Sequence, residues 1–163
     1  LVNRLRTSDG PLVGIVWASG IVNIDRASSY PSLANWKQIL DHPNATFIAL
    51  QYGDVGDDLD QLRGMTSRSI HWLNELDLRL DLEALIAIAS MCDCVVASST
   101  ASSVLAAAVG TPVIELAAVD NFVPDIDGQD ALIGTIFRPR APIEGDWHYV
   151  FSEARKRLDT LIA

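Results

Sequence analysis

Residues 94–117 read CVVASSTASSVLAAAVGTPVIELA, and this stretch decides the fold class. The apolar run at residues 94–97 predicts a buried strand, and the run at 112–117 predicts another. Between them, the small residues of 102–109 predict a helix that ends at Gly110, a residue suited to a helix C-terminus. Apolar strands that alternate with helices indicate a parallel sheet whose two faces are both covered by helices.

The same alternation continues on both sides of this stretch. Further strands are predicted at residues 12–18, 45–52, 69–73 and 135–137. Helices are predicted after Pro31, weakly at 55–63, from the capping Asp81 to residue 91, and at the end of the chain. Residues 119–134 contain proline, glycine and four aspartates, which is typical of a surface loop. The whole chain, 1–163, is therefore predicted to be one α/β domain with a doubly wound, mostly parallel sheet.

Composition limits the classes of function. The chain has 163 residues, 49% of them hydrophobic, with 12 basic and 21 acidic side chains and a net charge of −9. Such an acidic domain is unsuited to binding nucleic acid, although backbone N–H groups can still bind a small anion.

No apolar run in the sequence is long enough to span a membrane. Cys92 and Cys94 are separated by one residue, and the sulfurs of such a pair in a strand are expected to point to opposite faces, which makes a disulfide difficult to close. They are therefore interpreted as small core residues of a cytoplasmic protein.

The candidate site follows from the fold class, because ligands of such sheets bind beyond the carboxyl ends of the strands. The residues after the predicted fourth strand carry five hydroxyls and lead into the helix: Ser98, Ser99, Thr100, Ala101, Ser102 and Ser103. A helix N-terminus with hydroxyl donors suits a phosphate or diphosphate. The alternative is that these hydroxyls only cap the helix.

Other motifs are weaker. The glycines fit neither a dinucleotide fingerprint nor a P-loop, and no nucleophile elbow is present. The acidic run from Asp125 to Asp130 resembles a calcium loop but fails its register, so it is interpreted as a solvated acidic loop. Trp17 and Trp36 are predicted to pack in the core. An unrelated phosphate-sensing or hydrolase domain would need a catalytic cluster that the sequence does not display.

Several segments, in this order, resemble a known family. They are Val13-Gly-Ile-Val-Trp17, Pro31 with Leu33 and Trp36, Phe47-Ile-Ala-Leu-Gln-Tyr-Gly-Asp54, Asp81-Leu-Glu-Ala-Leu-Ile-Ala with Asp93-Cys-Val-Val, Leu105-Ala-Ala-Ala-Val-Gly-Thr-Pro112, and Phe137-Arg with Gly145-Asp-Trp147. Together they are similar to the carboxyl-terminal, nucleotide-sugar-binding half of a GT-B glycosyltransferase. The nearest kinds are bacterial heptosyltransferase-like enzymes and glycosyltransferase modules that follow tetratricopeptide repeats.

The resemblance implies a Rossmann-like domain that binds a nucleotide-diphosphate sugar and belongs to a longer protein. The diphosphate would lie on Ser99, Thr100, Ala101, Ser102 and Ser103. The other implied donor-binding residues are Gln51, Tyr52 and Gly53 near the nucleoside, and Trp17, Ser19, Gly20 and Arg26 near the phosphates or the sugar.

The implied reaction is an inverting sugar transfer to an acceptor hydroxyl on a protein or glycan, without a cofactor or metal. The family places the catalytic base in an amino-terminal domain upstream, so the isolated chain is expected to be inactive. Three positions depart from the family pattern: Val104 replaces a histidine, Ala18 an arginine and Ser28 a basic residue. These departures favour the alternative, a degenerate glycosyltransferase-like domain that acts as a binding or assembly module.

Overall fold

The computed structural model describes residues 10–19, 30–117, 125–126, 129–130 and 132–163. The strands in this part of the chain are β1 (Leu12–Val16), β2 (Thr46–Ala49), β3 (Ile70–His71), β4 (Cys94–Ser98), β5 (Val113–Leu116), β6 (Asp125–Ile126), β7 (Gln129–Asp130) and β8 (Ile136–Phe137). The helices are α1 (Lys37–Leu40), preceded by a 3-10 turn at Leu33–Trp36, α2 (Gly56–Gly64), α3 (Leu82–Ala89), α4 (Ala101–Ala108) and α5 (Trp147–Leu161).

The described strands form one sheet in the order β3-β2-β1-β4-β5-β8-β7-β6. From β3 to β8 the neighbours are parallel, and β7 pairs antiparallel with β6 and β8. The chain winds outward from β1 to β3 and then returns to the other side of β1 with β4. This arrangement confirms the predicted doubly wound, mostly parallel α/β fold, with its topological switch between β1 and β4.

Helices cover both faces of the sheet, because alternate strand residues point to opposite sides. On one face, α1, α2 and α5 pack over a core that contains Trp36, Phe47 and Phe151, all fully buried. The rings of Trp36 and Phe151 meet edge to face with centroids 5.6 Å apart. On the other face, α3 and α4 supply Leu85 and Ala106 to a second core. Trp36 and Trp17 both lie in the first of these cores, which confirms the prediction that the two side chains pack in the core.

The two cysteines lie on opposite faces of the sheet. Cys94 belongs to the first core and Cys92 to the second, and both are buried free thiols. Burial raises the pKa of each thiol to about 12. The interpretation of the pair as core residues is therefore confirmed, while the cytoplasmic location stays a prediction.

Local sequence signals set the helix ends. The Asp81 carboxylate accepts a hydrogen bond from the Ala84 N–H at 2.9 Å, which confirms it as the cap of α3. Gly110 adopts a φ of 87° just beyond α4, a conformation that glycine takes without strain. Leu82, the first residue of α3, is 48% exposed. It stands in the first turn, ahead of the residues that pack against the sheet.

The prediction of a surface loop over residues 119–134 is wrong for the four residues of β6 and β7, which extend the sheet. Gln129 fixes this hairpin to β8, since its side-chain amide donates to the carbonyl oxygens of Gly134 and, at 2.8 Å, of Ile136.

Among the helices of the described ranges, none has both the length and the apolar composition that a membrane span requires.

Candidate functional site

The carboxyl ends of β1, β2 and β4 lie side by side at the topological switch, and the polar residues after them meet there. Ser98 Oγ donates to the Trp17 carbonyl oxygen at 2.7 Å. Gln51 Oε1 accepts from the backbone N–H groups of Trp17 and Ala18, both at 3.0 Å. The structure therefore brings together the segments that the sequence placed at one edge.

The donors at the end of β1 already have partners inside the protein. Gln51 is buried, and its side-chain oxygen accepts hydrogen bonds from the two backbone N–H groups to which an anion at this turn would bind. The Trp17 indole donates to Asp58 at 2.8 Å. Gln51 and Trp17 thus fix the strand end, and direct contact of either side chain with a ligand stays a prediction.

The remaining predicted residues of this edge differ in accessibility. Ser19 and Tyr52 are half-buried and Gly53 is exposed, with a φ of 97°. Gly20 and Arg26, as well as Ser28, fall outside the described residues. Trp72, which follows β3, is 38% exposed and was not singled out from the sequence. It falls inside the strand predicted at 69–73, whereas β3 ends at His71 in the structure, so no sequence signal marked its place beyond a strand end.

The start of α4 is the most distinctive part of the edge. Thr100 precedes the helix in an extended conformation, and the Ser103 N–H bonds the Thr100 carbonyl oxygen at 3.2 Å. Thr100 and Ser103 form a capping box, as the capping alternative predicts: the Thr100 side chain faces the Ser103 N–H, and Ser103 Oγ accepts from the Thr100 N–H at 3.4 Å. Thr100 Oγ1 and Ser102 Oγ are buried, and neither makes a hydrogen bond of normal geometry with the described residues. Buried hydroxyls without partners are unfavourable, so a ligand with acceptor oxygens would stabilise this turn. Ser99 and Ala101 are exposed beside them.

A buried ionic cluster lies directly behind this turn. Glu115 on β5 is 1% exposed and accepts from Arg138 Nε at 2.8 Å, and Arg138 Nη1 also bonds Asp130. Ser103 Oγ lies 2.6 Å from Glu115 Oε2 and 2.7 Å from the Thr100 carbonyl oxygen. A hydroxyl has one proton to donate, and the charged carboxylate is the stronger acceptor. Ser103 therefore connects the start of α4 to the cluster.

Asp130 corrects the prediction of a solvated acidic loop, because its side chain is buried. It accepts from the N–H groups of Leu132 and Ile133 at 2.7 and 2.8 Å. Burial alone would raise the pKa of this carboxyl, but the hydrogen bonds from Ile133, Arg138 and Leu132 outweigh burial and lower the pKa. Burial alone would lower the pKa of Arg138. The hydrogen bonds and charges of Asp130 and Glu115 outweigh burial, so the pKa of Arg138 is raised.

The sequence reasoning missed this cluster. The signal for it was a single charged residue, Glu115, inside an otherwise apolar strand. Two carboxylates and one guanidinium leave a net negative charge behind the α4 N-terminus. Because Arg138 is held by both carboxylates, it is not oriented towards an incoming anion.

Among the residues that the structure describes, no three His, Cys, Asp or Glu side chains come together as a candidate metal site, and metal independence stays a prediction.

Two of three comparisons with known proteins found similar proteins. No family model matches the chain. Protein FlbA of Caulobacter vibrioides is 32% identical to it over 113 residues, which are 69% of this chain and 19% of that protein. The chain therefore spans about a fifth of the length of this curated relative.

Solved structures match almost the whole chain at low identity. E. coli heptosyltransferase WaaC with ADP has a TM-score of 0.66 at 16% identity and is matched over 98% of this chain and 47% of its own. For E. coli ADP-heptose lps heptosyltransferase II the TM-score is 0.67 at 13% identity, over 98% and 49%. A family 9 glycosyl transferase from Veillonella parvula gives 0.67 at 9%, over 98% and 48%. The chain thus has the fold of one half of a GT-B heptosyltransferase.

Proposed function

We propose that this chain is the carboxyl-terminal, donor-binding half of a GT-B glycosyltransferase and binds a nucleotide-diphosphate sugar. The observation that carries the proposal is the match over nearly the whole chain to heptosyltransferases solved with ADP and with ADP-2-deoxy-2-fluoro heptose. The TM-scores of 0.66 and 0.63 support a shared fold, and the donor class is our extension from that fold. In this proposal residues 1–163 are one domain of a longer protein.

The α4 N-terminus is the proposed diphosphate site. The first N–H groups of a helix lack partners within the helix and carry partial positive charge. Thr100 Oγ1, which faces the Ser103 N–H in the capping box, and Ser102 Oγ add two buried hydroxyls at this turn. Ser99, Ala101 and Ser103 complete the segment. Tyr52 and Gly53, which follow β2 at the same edge, are proposed to lie near the nucleoside.

The proposed reaction is an inverting transfer that needs no metal. An acceptor hydroxyl, on a protein or glycan, attacks the anomeric carbon of the sugar while the bond to the diphosphate oxygen breaks. The hydroxyl proton passes to a base in the other half of the enzyme. The α4 N-terminus stabilises the charge that develops on the departing diphosphate. The chain alone should then bind donor without transferring the sugar.

One observation favours a second candidate, a degenerate domain that serves as a binding or assembly module. The cluster behind α4 carries net negative charge, and its one cation, Arg138, is bound to Glu115 and Asp130. Val104 adds an exposed apolar side chain to α4 at the position where the family often has histidine. Each missing charge-assisted contact weakens anion binding by about 1.5–3 kcal/mol.

Calorimetric titration of the chain with ADP, UDP, GDP and their sugar conjugates tests the two candidates. Donor binding predicts saturable heat with at least one nucleotide. Thr100→Val should weaken that binding about tenfold to a hundredfold, because a hydroxyl that contacts a charged ligand is lost. Thr160→Val, on the exposed face of α5, is the matched control and should leave affinity unchanged.

The outcomes separate clearly. If the folded chain binds none of the nucleotides, the donor proposal is wrong and the module remains. If a nucleotide binds but Thr100→Val has the affinity of the parent chain, the α4 N-terminus is not the diphosphate site.

A further inference from the structure

The side chain of Ser103, in the first turn of α4, faces the interior of the fold. The residue is fully buried. Its Oγ lies 2.6 Å from Glu115 Oε2, 2.7 Å from the Thr100 carbonyl oxygen and 3.4 Å from the Thr100 nitrogen. A hydroxyl has one proton to donate, and the Glu115 carboxylate is the strongest acceptor within its reach. The Ser103 hydroxyl is therefore engaged inside the protein and is not a donor to a ligand.

Two of these three contacts belong to Thr100. This residue precedes α4 in an extended conformation, and its Oγ1 is buried without a hydrogen bond of normal geometry. Because Ser103 Oγ meets both the carbonyl oxygen and the N–H of Thr100, a displacement of Ser103 would also turn Thr100. The orientation of the Thr100 hydroxyl thus depends on what holds Ser103.

Glu115 holds Ser103 from the neighbouring strand. It lies on β5 opposite Ala97 of β4, the strand that leads into α4. Each of its carboxylate oxygens has its own partner: Oε1 accepts from Arg138 Nε at 2.8 Å, and Oε2 accepts from the Ser103 hydroxyl. Arg138 is in turn bound to Asp130. Glu115 therefore cannot turn away from Ser103 without breaking a buried, charged hydrogen bond.

The attachment of β7 to β8 does not require Glu115. Arg138 and Asp130 form a balanced ion pair without it, and Asp130 also accepts from the Leu132 and Ile133 N–H groups. Glu115 adds a second buried carboxylate, and burying a charge is unfavourable unless its contacts compensate for it. Since the contact that Glu115 makes outside this pair is with α4, its effect is on the start of that helix.

We propose that Glu115 is a positioning residue of the diphosphate site at α4. Through Ser103 it holds Thr100 and the first turn of the helix in the orientation that receives the diphosphate, and it does not touch the ligand itself. A site that is ordered in advance loses less entropy on binding. The inference rests on the proposed function, because it needs a diphosphate at this turn.

Calorimetric titration with ADP, UDP and GDP tests the inference on folded variants. Glu115→Leu leaves Arg138 paired with Asp130, so the chain should fold, but Ser103 loses its charged acceptor. We expect this variant to bind nucleotide about fivefold or more weakly than the parent chain. Glu115→Gln keeps a hydrogen-bond partner for Ser103 and should bind like the parent chain.

Ser103→Ala breaks the same contact from the other side. It should weaken binding by a similar factor, and combining it with Glu115→Leu should cause little further loss, because the two changes remove one interaction. Thr111→Val is the matched control for lost stability. Thr111 is buried beyond the other end of α4, and its hydroxyl donates to the Ala89 carbonyl oxygen at 3.0 Å. This variant should be less stable than the parent chain and should bind nucleotide equally well.

The outcomes distinguish this inference from the proposed function. If none of the nucleotides binds to the parent chain, both are wrong. If a nucleotide binds to the parent chain and equally to Ser103→Ala or Glu115→Leu, Glu115 is not a positioning residue and the proposed function stands. The same follows if Glu115→Gln loses as much affinity as Glu115→Leu, if the two single losses add in the double variant, or if Thr111→Val weakens binding as much. Ser103→Ala, which removes one oxygen, decides the matter if Glu115→Leu does not fold.

Discussion

Arg138→Met should destabilise the fold strongly, because it leaves two buried carboxylates without their cation. In the structure, the Glu115 and Asp130 side chains are each 2% exposed and Arg138 is 11% exposed. Removing one partner of a buried ion pair costs about 3–5 kcal/mol, against a total stability of about 5–15 kcal/mol for a typical domain. Urea denaturation followed by far-UV circular dichroism at pH 7 measures the loss.

The pH dependence gives the prediction a second readout. In the parent chain the pKa of Asp130 lies below its ordinary value of 3.8, so its stabilising contribution is complete above that pH and is lost as the pH falls below it. Without Arg138, Asp130 keeps the burial that raises its pKa and loses the guanidinium that lowers it, so protonation of this carboxyl should cost the variant less stability than it costs the parent chain. The stability difference between variant and parent should therefore shrink as the pH is lowered from 7 towards 4.

A double variant and a charge control complete the test. Glu115→Gln in the Arg138→Met background removes an unpaired charge and keeps an acceptor for Ser103, so part of the lost stability should return. Arg79→Met removes an exposed positive charge and should cost less than about 0.5 kcal/mol. A loss below about 1 kcal/mol for Arg138→Met, or one that neither pH nor Glu115→Gln reduces, would refute the reasoning.

Three further predictions concern the core and its titrating groups. Burial, and after it the positive charge of Arg155, lowers the pKa of His42 below its ordinary value of 6.5. The free energy of unfolding of the chain should therefore fall as the pH drops below that value. The fall should be smaller in His42→Gln than in His71→Gln, and urea midpoints at each pH will measure it. Cys92 and Cys94, with pKa values of about 12, should resist iodoacetamide at pH 8 in the native chain and react once urea unfolds it. Phe151→Ala should cost about 3–5 kcal/mol in the same urea assay, because the ring is fully buried.

The fold was predictable because it depends on short-range patterns. A short, continuous apolar run such as 94–97, followed by a cluster of hydroxyl residues, is the pattern of a buried strand, and Asp81 and Gly110 mark helix ends through contacts a few residues away. The hairpin of β6 and β7 was not predictable in this way. Its pairing depends on the side chain of Gln129, which reaches the backbone before and within β8.

The candidate site was predictable as a location but not as a set of contacts. The sequence places Gln51 near the end of the strand predicted at 45–52, and it cannot show that the side chain turns back to bind the end of β1. Glu115, Arg138 and Asp130 come from three separate segments, so only the folded chain reveals that their charges compensate one another. Asp130 also stands in an acidic run, where solvation is the ordinary outcome.

The position of α5 has a consequence for how the chain folds during synthesis. This helix is translated after all the other described elements, yet Val150, Phe151, Ala154 and Leu158 complete the core that also contains residues of β1 and β2. The opposite face closes earlier, because α3 and α4 emerge next to the strands they cover. We expect a nascent chain that ends before Gly145 to protect α3 and α4 from proteolysis while leaving the first core open. Cleavage of such a fragment equally throughout would show that both faces close together.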